Sequence, residues 1–212
     1  MASIQDLVDL EFQEPASSYI KTRRQELYSH HVYLDEDIGA PSKYRDLINM
    51  LYTADENTEF NIFLNTSGGN LSSCMAIVEA IRETDAVVRC IITGDCHSAG
   101  SIIALNCHEI VVTPSALMMI HTANYGSAGT TQNVKAHTDF STIYINKIID
   151  ETYTNFLTLS EISDCKKGVE IWLNAEEIVK RQKYRLESIE KKLSAVVKEQ
   201  KKASKEKTKP EV

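Results

Sequence analysis

At 212 residues, 42% apolar and 25% charged, the chain can build one substantial hydrophobic core and is too short for two full domains. No stretch is apolar for long enough to span a bilayer as a helix, so no membrane role is expected. The net charge of −7 is divided: residues 180–212 hold 12 Lys+Arg against 5 Asp+Glu, which leaves 11 basic and 25 acidic residues in 1–179. An acidic body of this kind excludes nucleic acid as the main ligand, because phosphate binding needs a basic surface.

In chain order, residues 1–27 read as a polar, irregular N-terminal segment. It lacks the basic start and apolar run of a signal peptide, so a cytoplasmic protein is expected. Tyr28 to Leu34 alternates as a strand does and stops at Asp35-Glu36-Asp37. Tyr44, Leu47, Ile48 and Leu51 follow with the spacing of an amphipathic helix. Phe60 to Leu64 is a short apolar strand that ends at Asn65-Thr66-Ser67-Gly68-Gly69-Asn70, and Leu71, Met75, Val78 and Ile81 then share a helical face. Val87 to Ile92 predicts a buried strand, broken at Gly94-Asp95-Cys96-His97, after which Ser98 to Asn106 continues as an apolar helix. Ile110–Val112 and Leu117–Ile120 are two further short strands.

Short apolar strands separated by helices predict an α/β fold with a mostly parallel sheet covered by helices. In such sheets the working groups gather at the carboxyl ends of the strands, where both glycine-bearing breaks and His121 fall. From Thr131 to Leu157 the pattern is helical without proline. Phe140, Tyr144 and Ile148 line one side, with Ile143, Ile145 and Ile149 on others. A helix apolar around so much of its girth calls for burial on more than one side, hence a partner subunit. Leu186, Ile189, Leu193 and Val196 form a narrow seam among lysines, suited to a docking or coiled-coil helix that ends in a disordered tail. The five cysteines are unpatterned and read as free thiols.

Two residue types at strand ends point to chemistry. Ser98, between a buried strand and a helix, would project its hydroxyl at a helix N-terminus, although serine there is also a favoured cap. His121 closes the strand Leu117–Ile120 and can accept the serine proton and return it to a leaving amine. The Gly68-Gly69 pair lets backbone N–H groups face the cleft and, with the N–H of Ala99, form an oxyanion hole. His97, beside the serine, is a weaker base because neighbouring residues on a turn diverge. No phosphate-binding loop and no patterned metal site is present, so neither cofactor nor metal is expected.

Taken together, NTSGGN, GDCHSAG and MMIH, in that order, resemble the Clp protease proteolytic subunit family, whose motifs read approximately NSPGG, GxAASMG and MIHQP. The resemblance runs from about Tyr33 to Val179. It implies a ClpP/crotonase-type fold with a Ser-His-acid triad. It also implies a self-associating partner set: two stacked homo-oligomeric rings around a chamber, with the protruding handle helix at 131–157. The substrate it implies is a peptide or unfolded protein, and a separate AAA+ unfoldase is an implied partner. Carried onto this sequence, the nucleophile is Ser98, the base His121, and the oxyanion donors Gly69 (or Gly68) and Ala99. The peptidase domain would span 28–179, followed by a basic helix and tail over 180–212.

Glu170 stands where the family's FLSAxEAxxYGLID context places an aspartate, with Asp164 as a second candidate for the acid. Ser67 replaces the motif proline, Thr122-Ala123 follow the histidine, and no YGLID appears. Two other readings remain open: an assembly protein of the same fold that has lost turnover, and a crotonase-like acyl-CoA enzyme.

Overall fold

The computed structural model describes residues 27–207. Six strands form one sheet, in the order β1 (Tyr28–Leu34), β2 (Thr58–Thr66), β3 (Val87–His97), β5 (Leu117–Ile120) and β6 (Ile171–Asn174), with β4 (Glu109–Val112) also on β3. Every pairing is parallel except β5 with β6. Phe60, Ile62 and Leu64 of β2 and Val88, Cys90, Ile92 and Cys96 of β3 are fully enclosed. Continuous burial of this kind is what central strands of a helix-covered parallel sheet require.

The central strand β3 changes neighbour partway along. Its first half pairs with β4 (Arg89↔Glu109 to Ile92↔Val112) and its second half with β5 (Asp95↔Leu117 to His97↔Met119). Between the halves its register on β2 slips, from Leu64↔Ile92 to Thr66↔Cys96. Asn65 closes the irregularity, its Oδ1 accepting the Asp95 N–H at 2.9 Å. The bulge lengthens β3, so that His97 and Ser98 reach the level of the β2 and β5 ends.

Helix α1 (Arg45–Thr53) follows a short 3₁₀ turn, and α2 (Leu71–Glu83) is capped by Asn70, whose Oδ1 accepts the Ser73 N–H at 2.9 Å. Helix α3 (Ala99–Asn106) is apolar all round and almost wholly buried between the sheet and α2. Helix α4 (Thr131–Tyr153) is shorter than the 131–157 helix expected from periodicity. Thr154 is extended and Asn155 adopts φ 67°, which turns Phe156 and Leu157 into the core. Those two residues keep an apolar spacing without staying helical. A capping box of Thr158 and Glu161 then starts α5 (Leu159–Lys166), and neither α5 nor β6 stands out in the sequence.

Asn174 caps the last helix, α6 (Ala175–Lys207), through Glu177 N–H at 3.0 Å. Its first turns lie against β4, β5 and β6. Arg181 grips Glu161 through two contacts of 2.8 Å, and Arg185 donates to the Leu105 carbonyl at 2.8 Å. Beyond them the seam residues Leu186, Ile189, Leu193 and Val196 are exposed. The expected irregular segment at 1–26 and disordered tail from 208 lie outside the described residues. No described helix is long and apolar enough to cross a membrane.

Candidate active site

The ends of β2, β3 and β5 meet in a cleft of about 470 Å³. Ser98 sits on the turn that converts β3 into α3 and holds φ 51°, ψ −117°, a backbone state that side-chain-bearing residues rarely adopt. Such strain costs on the order of 1–3 kcal/mol and persists only where neighbours enforce it. Here they do. The Ser98 N–H donates to the Met119 carbonyl at 2.8 Å, which ties the turn to β5. The Ser98 carbonyl accepts the Ser101 N–H at 3.0 Å and the Ser101 hydroxyl at 2.7 Å.

Gly68 supplies the remaining space. It holds φ 102°, and a Cβ there would come within 2.7 Å of Ser98 Cβ and 2.8 Å of the His97 carbonyl. Its own N–H donates to Thr66 Oγ1 at 3.1 Å. Gly69, at φ 138°, is pressed against Ile38, whose N–H donates to the Gly68 carbonyl at 2.7 Å and whose carbonyl accepts the Asn70 N–H at 2.7 Å. Ser67 hydrogen bonds to the Asp37 carboxylate. The glycine turn is therefore clamped by the chain just after β1.

With the turn so held, Ser98 Oγ lies 2.7 Å from His121 Nε2. When the ring proton is on Nδ1, Nε2 accepts the serine proton. Of the three N–H groups named from sequence, that of Gly68 is committed to Thr66. Those of Gly69 and of Ala99, the first residue of α3, have no acceptor among the described residues. The rest of the cleft wall mixes apolar side chains, Leu71, Ile102, Met119, Ile145 and Ile149 among them, with the polar Ser67, Asn70 and Asn124.

The sulfur groups nearby are not competitors. Burial pushes the Cys74 thiol up to about 12 and raises that of Cys96 well above its ordinary value, so neither supplies a thiolate.

Glu170, the candidate acid, lies beside the histidine strand without bonding to it. The antiparallel register, Ile120↔Ile171, sets residue 170 one step on, opposite residue 121. The Glu170 side chain is exposed, and its Oε2 accepts the Trp172 indole N–H at 3.1 Å; no hydrogen bond joins it to His121. Asp164 lies near the end of α5, with its carboxylate 3.8 Å from Lys167 Nζ. The His97 ring lies 5.1 Å from that of Trp172, at 73° to it.

Sequence reading missed Thr66, Ser101 and Tyr153, which carry the hydroxyls around the turn. Only the small polar neighbours flanking NTSGG and GDCHSAG hint at them. Among the described residues no cluster of His, Cys, Asp and Glu could hold a metal ion.

A family model described as Clp protease matches residues 16–181, a span that includes all three strand ends and the whole of α4. With that match covering most of its length, the chain belongs to the Clp protease family.

Proposed function

We propose that the chain is a serine peptidase with Ser98 as nucleophile and His121 as general base. The observation that carries this reading is the 2.7 Å contact between Ser98 Oγ and His121 Nε2, made by a serine whose backbone is held at φ 51°. His121 removes the hydroxyl proton as Oγ attacks the scissile carbonyl. The negative charge that develops on the carbonyl oxygen is met by the N–H groups of Gly69 and Ala99, aided by the N-terminus of α3. The imidazolium then donates its proton to the leaving amine. Water, activated in the same way, releases the acyl group.

Glu170 orients His121 Nδ1 once its side chain leaves Trp172 and turns toward the ring across the β5–β6 ladder. The apolar part of the cleft wall, Leu71, Ile102, Met119, Ile145 and Ile149, suits a peptide with an apolar side chain next to the cleaved bond. Such a peptide must be extended, so the substrates are short or unfolded.

The assembly reading is a homo-oligomer of stacked rings, in which Phe140, Ile143 and Tyr144, all exposed along α4, are covered by neighbouring copies. Residues 28–179 form the peptidase unit, and the remainder of α6 is an addition to it. An unfoldase that feeds the chamber would be a separate chain in the same cytoplasmic compartment, since no ATP-binding motif lies here.

The Glu170–Trp172 bond favours one second reading, a scaffold of the same fold that does not turn over. Labelling with a fluorophosphonate, with mapping of the modified peptide, separates the two. A Ser98 adduct absent from Ser98→Ala supports the peptidase; an unlabelled Ser98 in the assembled protein supports the scaffold.

A further inference from the structure

Two buried hydroxyls beside the cleft have no part in the chemistry above. Ser101 lies on α3 and is fully buried; Tyr153 ends α4 and is 1% exposed. Ser101 Oγ is 2.7 Å from the Ser98 carbonyl oxygen and 2.7 Å from the Tyr153 hydroxyl. A serine hydroxyl has a single proton. The carbonyl can only accept, so Ser101 donates to it, and Tyr153 must therefore donate to Ser101. The direction of the relay is thereby fixed: Tyr153 O–H to Ser101 O–H to the Ser98 carbonyl.

A serine that bonds the carbonyl one turn back is common in helices. Here the serine is itself held by a phenol from another element, and the carbonyl belongs to the one residue of the cleft with a left-handed backbone and a side chain. Rotation of the Ser98 peptide would leave the buried Ser101 hydroxyl, whose oxygen is already taken by the phenol, without an acceptor for its proton, at a desolvation cost. Burial raises the Tyr153 pKa, so the phenol remains a donor.

We infer that Tyr153 is a positioning residue which, through Ser101, holds the Ser98 turn in the state that aims Oγ at His121. The inference rests on the peptidase reading. It also links the nucleophile to the placement of α4, because Tyr153 lies on the inner face of that helix with Ile145, Ile148 and Ile149.

The test uses the full chain as wild type, Ser98→Ala, Tyr153→Phe, Ser101→Ala and the Tyr153→Phe/Ser101→Ala double variant. Three quantities are read: the second-order rate of fluorophosphonate labelling at Ser98, kcat and KM on an unstructured fluorogenic peptide, and the melting temperature with the sedimentation mass. Tyr153→Phe is expected to lower labelling and kcat about tenfold, with KM within about twofold and the assembly mass unchanged. The double variant should lose no more than the worse single, since the two groups act in series. Labelling of Tyr153→Phe at the wild-type rate, or a loss that only tracks the unfolded fraction, overturns the inference and leaves the peptidase reading standing. If Tyr153→Phe does not fold, Ser101→Ala decides by the same two criteria. A folded wild type that the fluorophosphonate fails to label at Ser98 overturns the peptidase reading and the inference with it.

Discussion

Ser98→Ala removes one hydroxyl from a turn held by backbone contacts, so the fold and assembly should survive while peptide hydrolysis falls by several orders of magnitude. His121→Ala should do the same, and wild-type turnover by either variant would show the assignment to be wrong. Glu170→Gln keeps the shape but not the charge that stabilises an imidazolium, and kcat should fall on the order of 10²- to 10⁴-fold. Trp172→Phe is the informative partner, because it deletes the indole N–H that holds Glu170 away from His121. Turnover at or above wild type is expected there; a fall as large as that of Glu170→Gln would mean that the indole serves the active state. That Ser98, His121, Gly69 and Ala99 share one cleft was legible in the sequence, because each stands where an apolar strand gives way to a turn or a helix. The commitment of the Gly68 N–H was not legible, since it depends on Thr66 turning its hydroxyl inward. Nor was the bond that the Trp172 indole donates to Glu170. Side-chain choices among several partners are settled by tertiary placement, and spacing along the chain does not encode them.

Among the elements, α4 shows the limit of periodicity most clearly. The apolar residues read from sequence divide in the structure into an inner face, Ile145, Ile148 and Ile149, and an outer face that is 70% exposed at Phe140 and 71% at Ile143. Ile143→Glu should therefore leave the subunit folded and shrink the assembly, as read by sedimentation. Ile149→Glu should instead destabilise the subunit itself, as a charge without a partner in the core. An Ile143→Glu variant of unchanged mass would place the interface elsewhere. The α5–α6 junction offers a test by pH. The Arg181 guanidinium, with the Thr158 cap, holds the Glu161 carboxyl down to about 2, against an ordinary value of 4.5. A depressed carboxyl contributes stability that is complete above about 4.5 and lost as pH falls toward about 2. Glu161→Gln should cost about 1–2 kcal/mol at neutral pH after allowance for solvent screening, with the gap to wild type closing across that window in chemical denaturation. A gap independent of pH would assign the effect to packing. This junction escaped the sequence reading because the capping box comes directly after residues that mimic a continuing helix.

For the molecule as a whole, the parallel sheet was readable from the succession of short apolar strands and helices, and the antiparallel β6, with a single buried residue, Leu173, was not. The conformation of Ser98 depends on groups scattered across much of the chain: Gly68 after β2, Met119 at the end of β5, Ser101 in α3 and Tyr153 at the end of α4. None of them is a local turn signal that could form the bend on its own, and the strained φ is unfavourable until they are in place. On the proposed reading, a nascent chain emerging from the ribosome therefore carries its serine and histidine well before it carries a nucleophile. If Tyr153 positions the turn as inferred, Ser98 stays an ordinary alcohol until residue 153 has been made and packed. On the proposed peptidase reading, peptide-bond cleavage would thereby be withheld, by the order of folding, from the crowded surroundings of synthesis, where unfolded polypeptide is most abundant.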